Sequence, residues 1–245
     1  MKKPAIHIGT SGWHYKHWKG PFYPSHLAEA EQFHYYIRYF STVEINNSFY
    51  MLPTMETFAD WRKAAPDNFL FAVKASRFIT HMKKLNLDAK GVKKFFSHVE
   101  KLREKLGPIL FQLPPKWNVN AERLDNFLSV LPKAYRYAVE FRNQTWYNDE
   151  VYAILEKHNC AFCIYELEQH LSPLQVTADF VYLRLHGPGK KYQGSYSNAV
   201  LSSWAARCKQ WRDERKDVFV YFDNDQEGYA VKNALSLYEM LHAKQ

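Results

Sequence analysis

The sequence predicts a single-domain α/β protein with a TIM (β/α)8-type barrel over residues 1–245. Three observations favour this fold class. Short β-branched and aromatic runs alternate with helical patterns along the chain, an order typical of a parallel sheet. The length of 245 residues is close to the about 250 residues that such barrels contain. Nearly every predicted strand also ends in polar residues, as barrel strands do where they build a site.

An open, doubly wound sheet is the main alternative to the barrel. Its dinucleotide-binding form would carry a G-x-G-x-x-G motif directly after the first strand. No such motif follows residues 5–9. The sequence therefore favours the barrel.

Eight runs have the composition of buried strands, because Val, Ile, Phe and Tyr fit a pleated and largely buried surface. These runs lie at residues 5–9, 42–46, 70–74, 109–113, 137–141, 161–165, 180–186 and 218–223.

Helical patterns fill most of the intervals between these strands. They lie at residues 26–40, 55–65, 89–105, 121–131, 150–158, 199–216 and 229–243. Thr54, Asp88 and Asn120 stand at predicted N-terminal caps, and Pro66 ends one pattern. Residues 166–179 are few and contain a proline, so we expect the helix between the sixth and seventh strands to be short or missing.

Two octapeptides resemble each other and place a carboxylate inside a strand. They are VEINNSFY at residues 43–50 and VEFRNQTW at residues 139–146. Successive strand side chains point to opposite faces, so Glu44 and Glu140 lie opposite their apolar neighbours. In a barrel the apolar face meets the helices, and the two carboxylates are then expected to point inward near the site-forming rim.

The other strand ends supply further ionisable and polar groups to the same predicted rim. The candidate catalytic residues are Glu44, Glu140, His186 and Asp223. The candidate substrate-binding residues are Thr10, Trp13, Tyr15, Asn46, Lys74, His81, Gln112, Arg142, Trp146, Arg184, Lys190, Lys191 and Asn224. Paired carboxylates can take different protonation states and act as acid and base, while cations hold negative charge.

A structural role is the alternative for the charged residues of this rim. Buried charges are costly unless they are paired and hydrogen-bonded. Glu44 paired with Arg184 or Lys74, and Glu140 paired with Arg142, would satisfy that requirement without any ligand. For the ensemble we favour a site, because so many ionisable groups converge on one end of the strands.

Two loops also have either a binding role or a purely structural one. HGPGKKYQGSYS at residues 186–197 combines glycines with Lys190 and Lys191, which suits an anion, or it is a mobile surface loop. The aromatic first loop at residues 10–24 and Trp146 either stack on a sugar or base, or simply pack.

No cofactor is predicted from the sequence. A metal ion is not favoured, because one histidine at a strand end and no paired histidine spacing make a weak ligand set. Cys160 and Cys163 are three positions apart in one strand and face opposite sides, so core packing is expected for both.

The net charge of +8 favours an anionic partner, either a small molecule or nucleic acid. The lysine-rich stretch at residues 83–105 is either the solvated face of a helix or a binding patch. No apolar run approaches the roughly 20 residues of a membrane helix, and no signal-peptide pattern is present. We therefore expect a cytoplasmic protein without membrane contact.

Seven motifs, taken in order, resemble the YecE-like family, whose members are proteins of unknown function with a TIM-type barrel. They are GTSGWHYKHWKGPFYP, VEINNSFYMLP, FAVKASRFITH, LGPILFQLPP, VEFRNQTW, FVYLRLHG and VYFDND. The resemblance runs from about residue 6 to about residue 241. It implies the barrel fold and the location of a site, and it implies no reaction.

The sequence leaves three functional hypotheses. The first is an enzyme, a hydrolase, lyase or isomerase, that acts on an anionic or phosphorylated small molecule by general acid–base chemistry. The second is a nucleic-acid-binding protein or nuclease, for which the basic charge and the aromatic first loop are typical features. The third is a non-catalytic ligand-binding scaffold.

Overall fold

The computed structural model describes residues 3–243. The strands are β1 (Ile6–Thr10), β2 (Thr42–Ile45), β3 (Leu70–Lys74), β4 (Leu106–Gln112), β5 (Tyr137–Glu140), β6 (Cys160–Leu167), β7 (His170–Leu171), β8 (Phe180–Leu185) and β9 (Asp217–Phe222). The helices are α1 (Gln32–Tyr36), α2 (Asn47–Tyr50), α3 (Met55–Ala64), α4 (Ala89–Val99), α5 (Ala121–Val130), α6 (Asp149–Lys157), α7 (Asn198–Asp213) and α8 (Tyr229–His242). The fold is mixed α/β of the TIM-barrel type, which confirms the predicted fold class.

The chain forms two compact units. Unit one contains the described residues up to Glu44, residues Ile164–Ser172, and the described residues from Asp179 onward. Unit two contains residues Ile45–Cys163 and Pro173–Ala178. Unit one is therefore assembled from three separate chain segments, whereas unit two is almost continuous in sequence.

In unit one, three parallel strands run side by side in the order β1, β9, β8. Ile6 pairs with Val218 at the start of β1, and Leu185 pairs with Phe222 at the end of β8. A parallel bridge between Ser11 and Glu44 joins the end of β2 to the residue that follows β1. Helices α7 and α8 pack on these strands.

In unit two, parallel strands β3, β4, β5 and the first half of β6 lie side by side. Gln112 pairs with Glu140, so the polar ends of β4 and β5 are in register. Helices α3, α4 and α5 of this unit begin as the sequence predicts, because the side chains of Thr54, Asp88 and Asn120 each accept a backbone N–H of the first turn.

Several helices differ in extent from the sequence-based prediction. The predicted helix at residues 26–40 is reduced to a 3-10 turn at Glu29–Glu31 and to α1. The predicted helix at residues 89–105 stays α-helical only to Val99, and Arg103 takes a φ of 50° in the following 3-10 segment. A left-handed residue cannot continue a right-handed helix, and its position was not encoded in the apolar periodicity.

Between β6 and β8, the structure contains the two-residue strand β7, which pairs antiparallel with the end of β6. Residues 172–179 that follow contain no helix. The expected short or missing helix at this position is confirmed. None of the helices within residues 3–243 combines the length and the apolar character that crossing a bilayer demands.

Gly9 lies where β1 and β2 approach closely. A Cβ atom at this position would lie 2.3 Å from the carbonyl oxygen of Thr42. We expect Gly9→Ala to force the two backbones apart and to lower the free energy of unfolding by about 1 to 3 kcal/mol, measured by urea denaturation. Gly189→Ala is the control, because its nearest neighbour is 3.8 Å away. Equal losses in the two variants would contradict the steric explanation.

Candidate functional site

One face of the unit-one sheet carries aromatic and polar side chains. The rings of His7 and Phe219 stack at 4.7 Å. The hydroxyls of Thr42 and Tyr221 are 2.8 Å apart, and the Tyr182 ring lies 5.3 Å from the Tyr221 ring. We call one set of side chains on this face the buried polar cluster. Its members are Ser11, Glu44, Tyr182, Arg184, His186 and Asp223.

The strand period explains why these residues meet. Tyr182, Arg184 and His186 alternate with leucines along β8 and its extension, so all three point to one face. Tyr221 and Asp223, on either side of Phe222, likewise point to one face at the end of β9. Because β8 and β9 are parallel and in register, their polar ends lie together.

Glu44 is fully buried, and both oxygens of its carboxylate accept hydrogen bonds. Oε1 accepts from the Ser11 hydroxyl at 2.6 Å and from Arg184 Nη2 at 2.7 Å. Oε2 accepts from the Tyr182 hydroxyl at 2.7 Å. Burial and the nearby Glu44 charge hold the pKa of Tyr182 well above its usual range, which keeps that hydroxyl a donor.

Arg184 lies between two carboxylates. Its Nη2 is 2.7 Å from Glu44 Oε1 and 3.1 Å from Asp223 Oδ2, and the whole residue is 0% exposed. A guanidinium at this depth is tolerated only because opposite charges and hydrogen bonds compensate for the lost hydration. Of the pairings that the sequence left open for Glu44, the structure shows the one with Arg184.

His186 forms a couple with Asp223. Its Nδ1 is 2.9 Å from Asp223 Oδ2, and its Nε2 is 3.4 Å from Arg184 Nη1. Because a guanidinium only donates, the network assigns the proton to Nδ1 and leaves the lone pair on Nε2. The imidazole is fully buried, whereas the Asp223 side chain is 15% exposed and is the member of the couple that reaches solvent.

The first loop packs above β1. The Thr10 hydroxyl lies 2.9 Å from the Tyr36 hydroxyl, and the Tyr15 hydroxyl donates to the Ser11 carbonyl. Burial, followed by the Asp223, Asp225 and Glu44 charges, raises the pKa of Tyr15 well above its usual range.

Other aromatic residues of this loop form a packed cluster within unit one. Trp13 is 3% exposed and lies 5.1 Å from the ring of Phe33. Trp18 and Tyr23 are fully buried and lie 5.9 Å apart. These contacts fit the packing alternative for the aromatic loop.

Asp225 ties the first loop to the residues that follow β9, and sequence reasoning did not identify it. Its carboxylate accepts the indole N–H of Trp18 and lies 3.0 Å from His17 Nε2. Burial raises the pKa of Asp225 to about 6, although His17 and Trp18 act in the opposite direction. No strand alternation points to this residue, because it lies beyond the end of β9.

The remaining unit-one candidates lie in the loop after β8 and beside it. The Asn224 amide donates to the Gly194 carbonyl at 2.9 Å and to Asn233 Oδ1 at 2.8 Å, so it fixes this loop. The Gly187 N–H is donated to the Tyr196 hydroxyl. Lys190 and Lys191 are exposed, and the Lys191 ammonium lies 5.2 Å from the centre of the Tyr192 ring.

Unit two repeats the pairing of glutamate with arginine. Arg142 Nε donates to Glu140 Oε1, and Glu140 is fully buried. The Cys163 thiol lies 3.8 Å from Glu140 Oε2. The two octapeptides thus have the same local structural role, because each places a buried carboxylate against a guanidinium.

Lys74 and His81 come together on Phe49. The Lys74 ammonium is 4.4 Å from the centre of the Phe49 ring, and the His81 ring meets the same ring edge-on at 5.0 Å. Burial, followed by the charges of Lys74 and Arg77, lowers the pKa of His81.

The other unit-two candidates differ in their surroundings. Trp146 is fully buried, stacks on Phe141 at 4.9 Å and donates its indole N–H to the Trp117 carbonyl, so it belongs to the core. The Gln112 amide lies 3.5 Å from the Leu113 carbonyl. Asn46 Oδ1 is buried without a hydrogen-bond partner within residues 3–243.

Residues 3–243 contain no group of three or more His, Cys, Asp or Glu side chains arranged to hold a metal ion. Cys160, Cys163 and Cys208 are buried thiols, and burial raises the pKa of Cys160 and Cys208.

Comparison with known proteins gives one family. The model of the family described as "Protein of unknown function DUF72" matches residues 7–245. UPF0759 protein YunF of Bacillus subtilis (strain 168) is 23% identical, over 96% of this chain and 94% of that protein. UPF0759 protein YecE of Escherichia coli (strain K12) is 29% identical, over 58% of this chain and 50% of that protein. The resemblance to the YecE-like family is confirmed.

Solved structures agree with this result. A DUF72 family protein from Thermotoga maritima MSB8 has 29% identity and a TM-score of 0.88, covering 97% of this chain and 99% of its own. A DUF72 family protein from Enterococcus faecalis V583 has 20% identity and a TM-score of 0.82, covering 98% of this chain and 96% of its own. The second likeness supports the fold alone.

The Glu44–Arg184 pair can be tested by a double-mutant cycle. Arg184→Met leaves two carboxylates without their cation and is expected to cost about 3 to 5 kcal/mol of unfolding free energy. Adding Glu44→Gln should recover part of this loss, so that the double variant differs from the sum of the single variants by about 1 to 3 kcal/mol in urea denaturation. The control is the same cycle on Arg62 and Glu104, an exposed pair at 3.0 Å, where we expect less than about 1 kcal/mol. A purely additive result at Glu44 and Arg184 would contradict the assignment.

The raised pKa of Asp225 predicts a specific pH dependence. The folded protein holds this proton more tightly than the unfolded chain, because the folded pKa is about 6 and the ordinary pKa of an aspartate is 3.8. The contribution of Asp225 to stability is therefore complete below about pH 4 and is lost as the pH rises through about 6. Relative to Asp225→Asn, the unmodified protein should lose about 1 to 2 kcal/mol between these two pH values, allowing for solvent screening. The exposed Asp213→Asn serves as control, and parallel pH profiles for all three proteins would refute the prediction.

Proposed function

The chain belongs to the DUF72 family of proteins of unknown function, and we propose that it is an enzyme that performs general acid–base chemistry on a small anionic molecule. His186 and Asp223 are the proposed proton-transferring couple. The observation that carries the proposal is the 2.9 Å contact of His186 Nδ1 with Asp223 Oδ2 beside the buried Arg184 guanidinium. A histidine oriented by a carboxylate is a recurrent arrangement for moving protons near neutral pH.

The roles of the two residues follow from the hydrogen-bond network. Asp223 accepts a hydrogen bond from Nδ1–H and thereby orients the ring and stabilises the imidazolium that forms when Nε2 takes a proton. In this scheme the substrate takes the place of the Arg184 contact at Nε2 and so reaches the buried imidazole. Nε2 is then the general base, which takes a proton from the substrate and returns it to a leaving group or to a neighbouring carbon. Arg184 Nη1, at 3.4 Å from Nε2, supplies a fixed positive charge near the atom that reacts.

Glu44 has a positioning role in this proposal and does not transfer the proton. Its two carboxylate oxygens accept three hydrogen bonds, from Ser11, Tyr182 and Arg184. Protonating Glu44 would remove the negative charge that compensates the Arg184 guanidinium. The carboxylate therefore holds the guanidinium in place.

Two features favour an anionic substrate. The chain has a net charge of +8, which attracts anions over long range. Lys190 and Lys191 are exposed in the loop that directly follows His186, where TIM-type barrels often bind phosphate. Hydrolysis, elimination and isomerisation all require proton transfer of the kind that the couple provides.

A non-catalytic ligand-binding scaffold is the second candidate. It is favoured by one observation, which is that Glu44, Arg184, Asp223 and His186 are joined to one another by hydrogen bonds. Such a network stabilises a fold without any chemistry. The two candidates differ in whether the His186 couple is required for turnover or only for stability.

Substrate profiling separates these two candidates. A mixture of phosphorylated and carboxylated metabolites is incubated with the protein, and mass spectrometry follows which compounds are consumed. We expect His186→Gln to lower the rate of any conversion by about 100-fold or more, since general acid–base groups contribute about 10²- to 10⁴-fold. Asp223→Asn should lower the same rate, since the imidazole loses its orientation and charge stabilisation.

His242→Gln is the matched control, because this histidine is exposed at the end of α8 and contacts the Tyr238 carbonyl. It should leave the rate unchanged. Circular dichroism and melting curves check that each variant is folded. Conversion that persists at an unchanged rate in a folded His186→Gln protein would exclude the proposed role.

A further inference from the structure

A cavity of about 310 Å³ opens beside the residues that follow β3 in unit two. Its apolar walls are Leu52, Phe78, Ile79 and Phe95, and its polar lining side chains are Ser76 and Lys94. Ligand pockets have volumes of about 300 to 1,000 Å³ and are mostly apolar with a few polar groups. The cavity therefore has the size and lining of a site for a small organic molecule.

Exposed apolar side chains flank the cavity in sequence. Tyr50 and Met51, next to Leu52, are 76% and 80% exposed. Phe78 is 41% exposed and Met82, at the end of the same helical turn, is 67% exposed. Contiguous exposed apolar surface marks binding sites, and flexible methionine side chains adapt to the shape of a ligand.

The backbone beside the cavity is wound in an unusual way. Residues Phe78–Met82 form a π-helix turn. Lys84 and Leu85 follow with φ values of 46° and 62°, in the left-handed region that disfavours side chains with a Cβ. Isolated π-helical turns and strained residues occur frequently at functional sites. The segment thus places Phe78 and Ile79 in the cavity wall in a backbone conformation that costs free energy. A role in ligand binding would explain why this conformation is kept.

The polar groups at the cavity are suited to one negative charge. Lys94 lies on α4, which contains three lysines and no carboxylate. Lys94 makes no ion pair within the part of the chain that the structure describes. The ammonium of Lys83 lies 5.5 Å from the centre of the Phe78 ring and adds a second positive charge. Ser76 Oγ accepts the Phe78 N–H at 3.3 Å, so its own hydroxyl proton is available to a ligand oxygen.

We propose that this cavity binds an amphiphilic carboxylate, a molecule with a short hydrocarbon body and one carboxylate group. The hydrocarbon lies against Leu52, Phe78, Ile79 and Phe95. The carboxylate lies at the mouth, where the Lys94 ammonium and the Ser76 hydroxyl donate to its two oxygens. None of the lining residues belongs to the buried polar cluster, so the test of this cavity does not rest on the reaction proposed for His186 and Asp223.

Isothermal titration calorimetry with octanoate and with octan-1-ol tests the site on the full chain. Octanoate is expected to bind saturably at one site, and the neutral alcohol is expected to bind more weakly. Lys94→Gln should weaken octanoate binding about two- to fivefold, the effect of one exposed charge pair, and should leave octan-1-ol binding unchanged. Leu52→Trp should fill the cavity and weaken the binding of both probes by about tenfold or more.

Lys90→Gln is the matched control, because it removes the same charge from α4 at a position outside the cavity lining. It should bind octanoate as the unmodified protein does. Circular dichroism checks the fold of Leu52→Trp, and Lys94→Gln keeps the test decisive if that variant does not fold. The proposal fails if octanoate shows no saturable binding, if a folded Leu52→Trp binds it unchanged, or if Lys90→Gln and Lys94→Gln weaken it equally.

Discussion

The buried ion pair between Glu44 and Arg184 is the constraint on which the architecture of unit one depends. A guanidinium with 0% exposure requires compensation, and Glu44, with Asp223 beyond it, supplies the opposite charge. Glu44 in turn takes donors from Ser11 and Tyr182, so one pair draws side chains from four strands or strand ends into fixed positions. Arg184 and Asp223 in turn fix the orientation of His186, because its two ring nitrogens face them.

Unit two contains a similar ion pair, in which the Glu140 carboxylate compensates the charge of Arg142. Both glutamates come from the octapeptides that resemble each other in sequence. Their shared pattern therefore reflects a shared electrostatic requirement, in which a carboxylate on a buried strand carries a guanidinium into the interior. The two sites differ in what surrounds the pair. Glu44 lies beside a histidine–aspartate couple, whereas Glu140 lies beside the Cys163 thiol.

Much of the fold and of the buried polar cluster could be predicted from residue patterns. The period of two along β8 predicts that Arg184 and His186 share a face, and the polar ends of parallel strands are expected to meet. The partner of Glu44 remained open, because Arg184 and Lys74 are equally plausible cations until the strand pairing is known. Asp225 escaped the prediction since it lies beyond a strand, where no periodicity indicates direction. The cavity beside Phe78 also escaped it, because a π-helix turn followed by left-handed residues leaves no signature in an apolar pattern.

The assembly of unit one from three chain segments has a consequence for folding. The hydrogen bond between Arg184 and Glu44 joins residues 140 positions apart, and the one between Ala5 and Asp217 spans 212 positions. Contacts of such high sequence separation close large loops, and the associated entropy slows their formation. Unit two is nearly continuous and can form its contacts while the chain is still being synthesised. The buried polar cluster, by contrast, can be completed only after β9 and Asp223 have left the ribosome, so the proposed chemistry cannot precede the synthesis of β9.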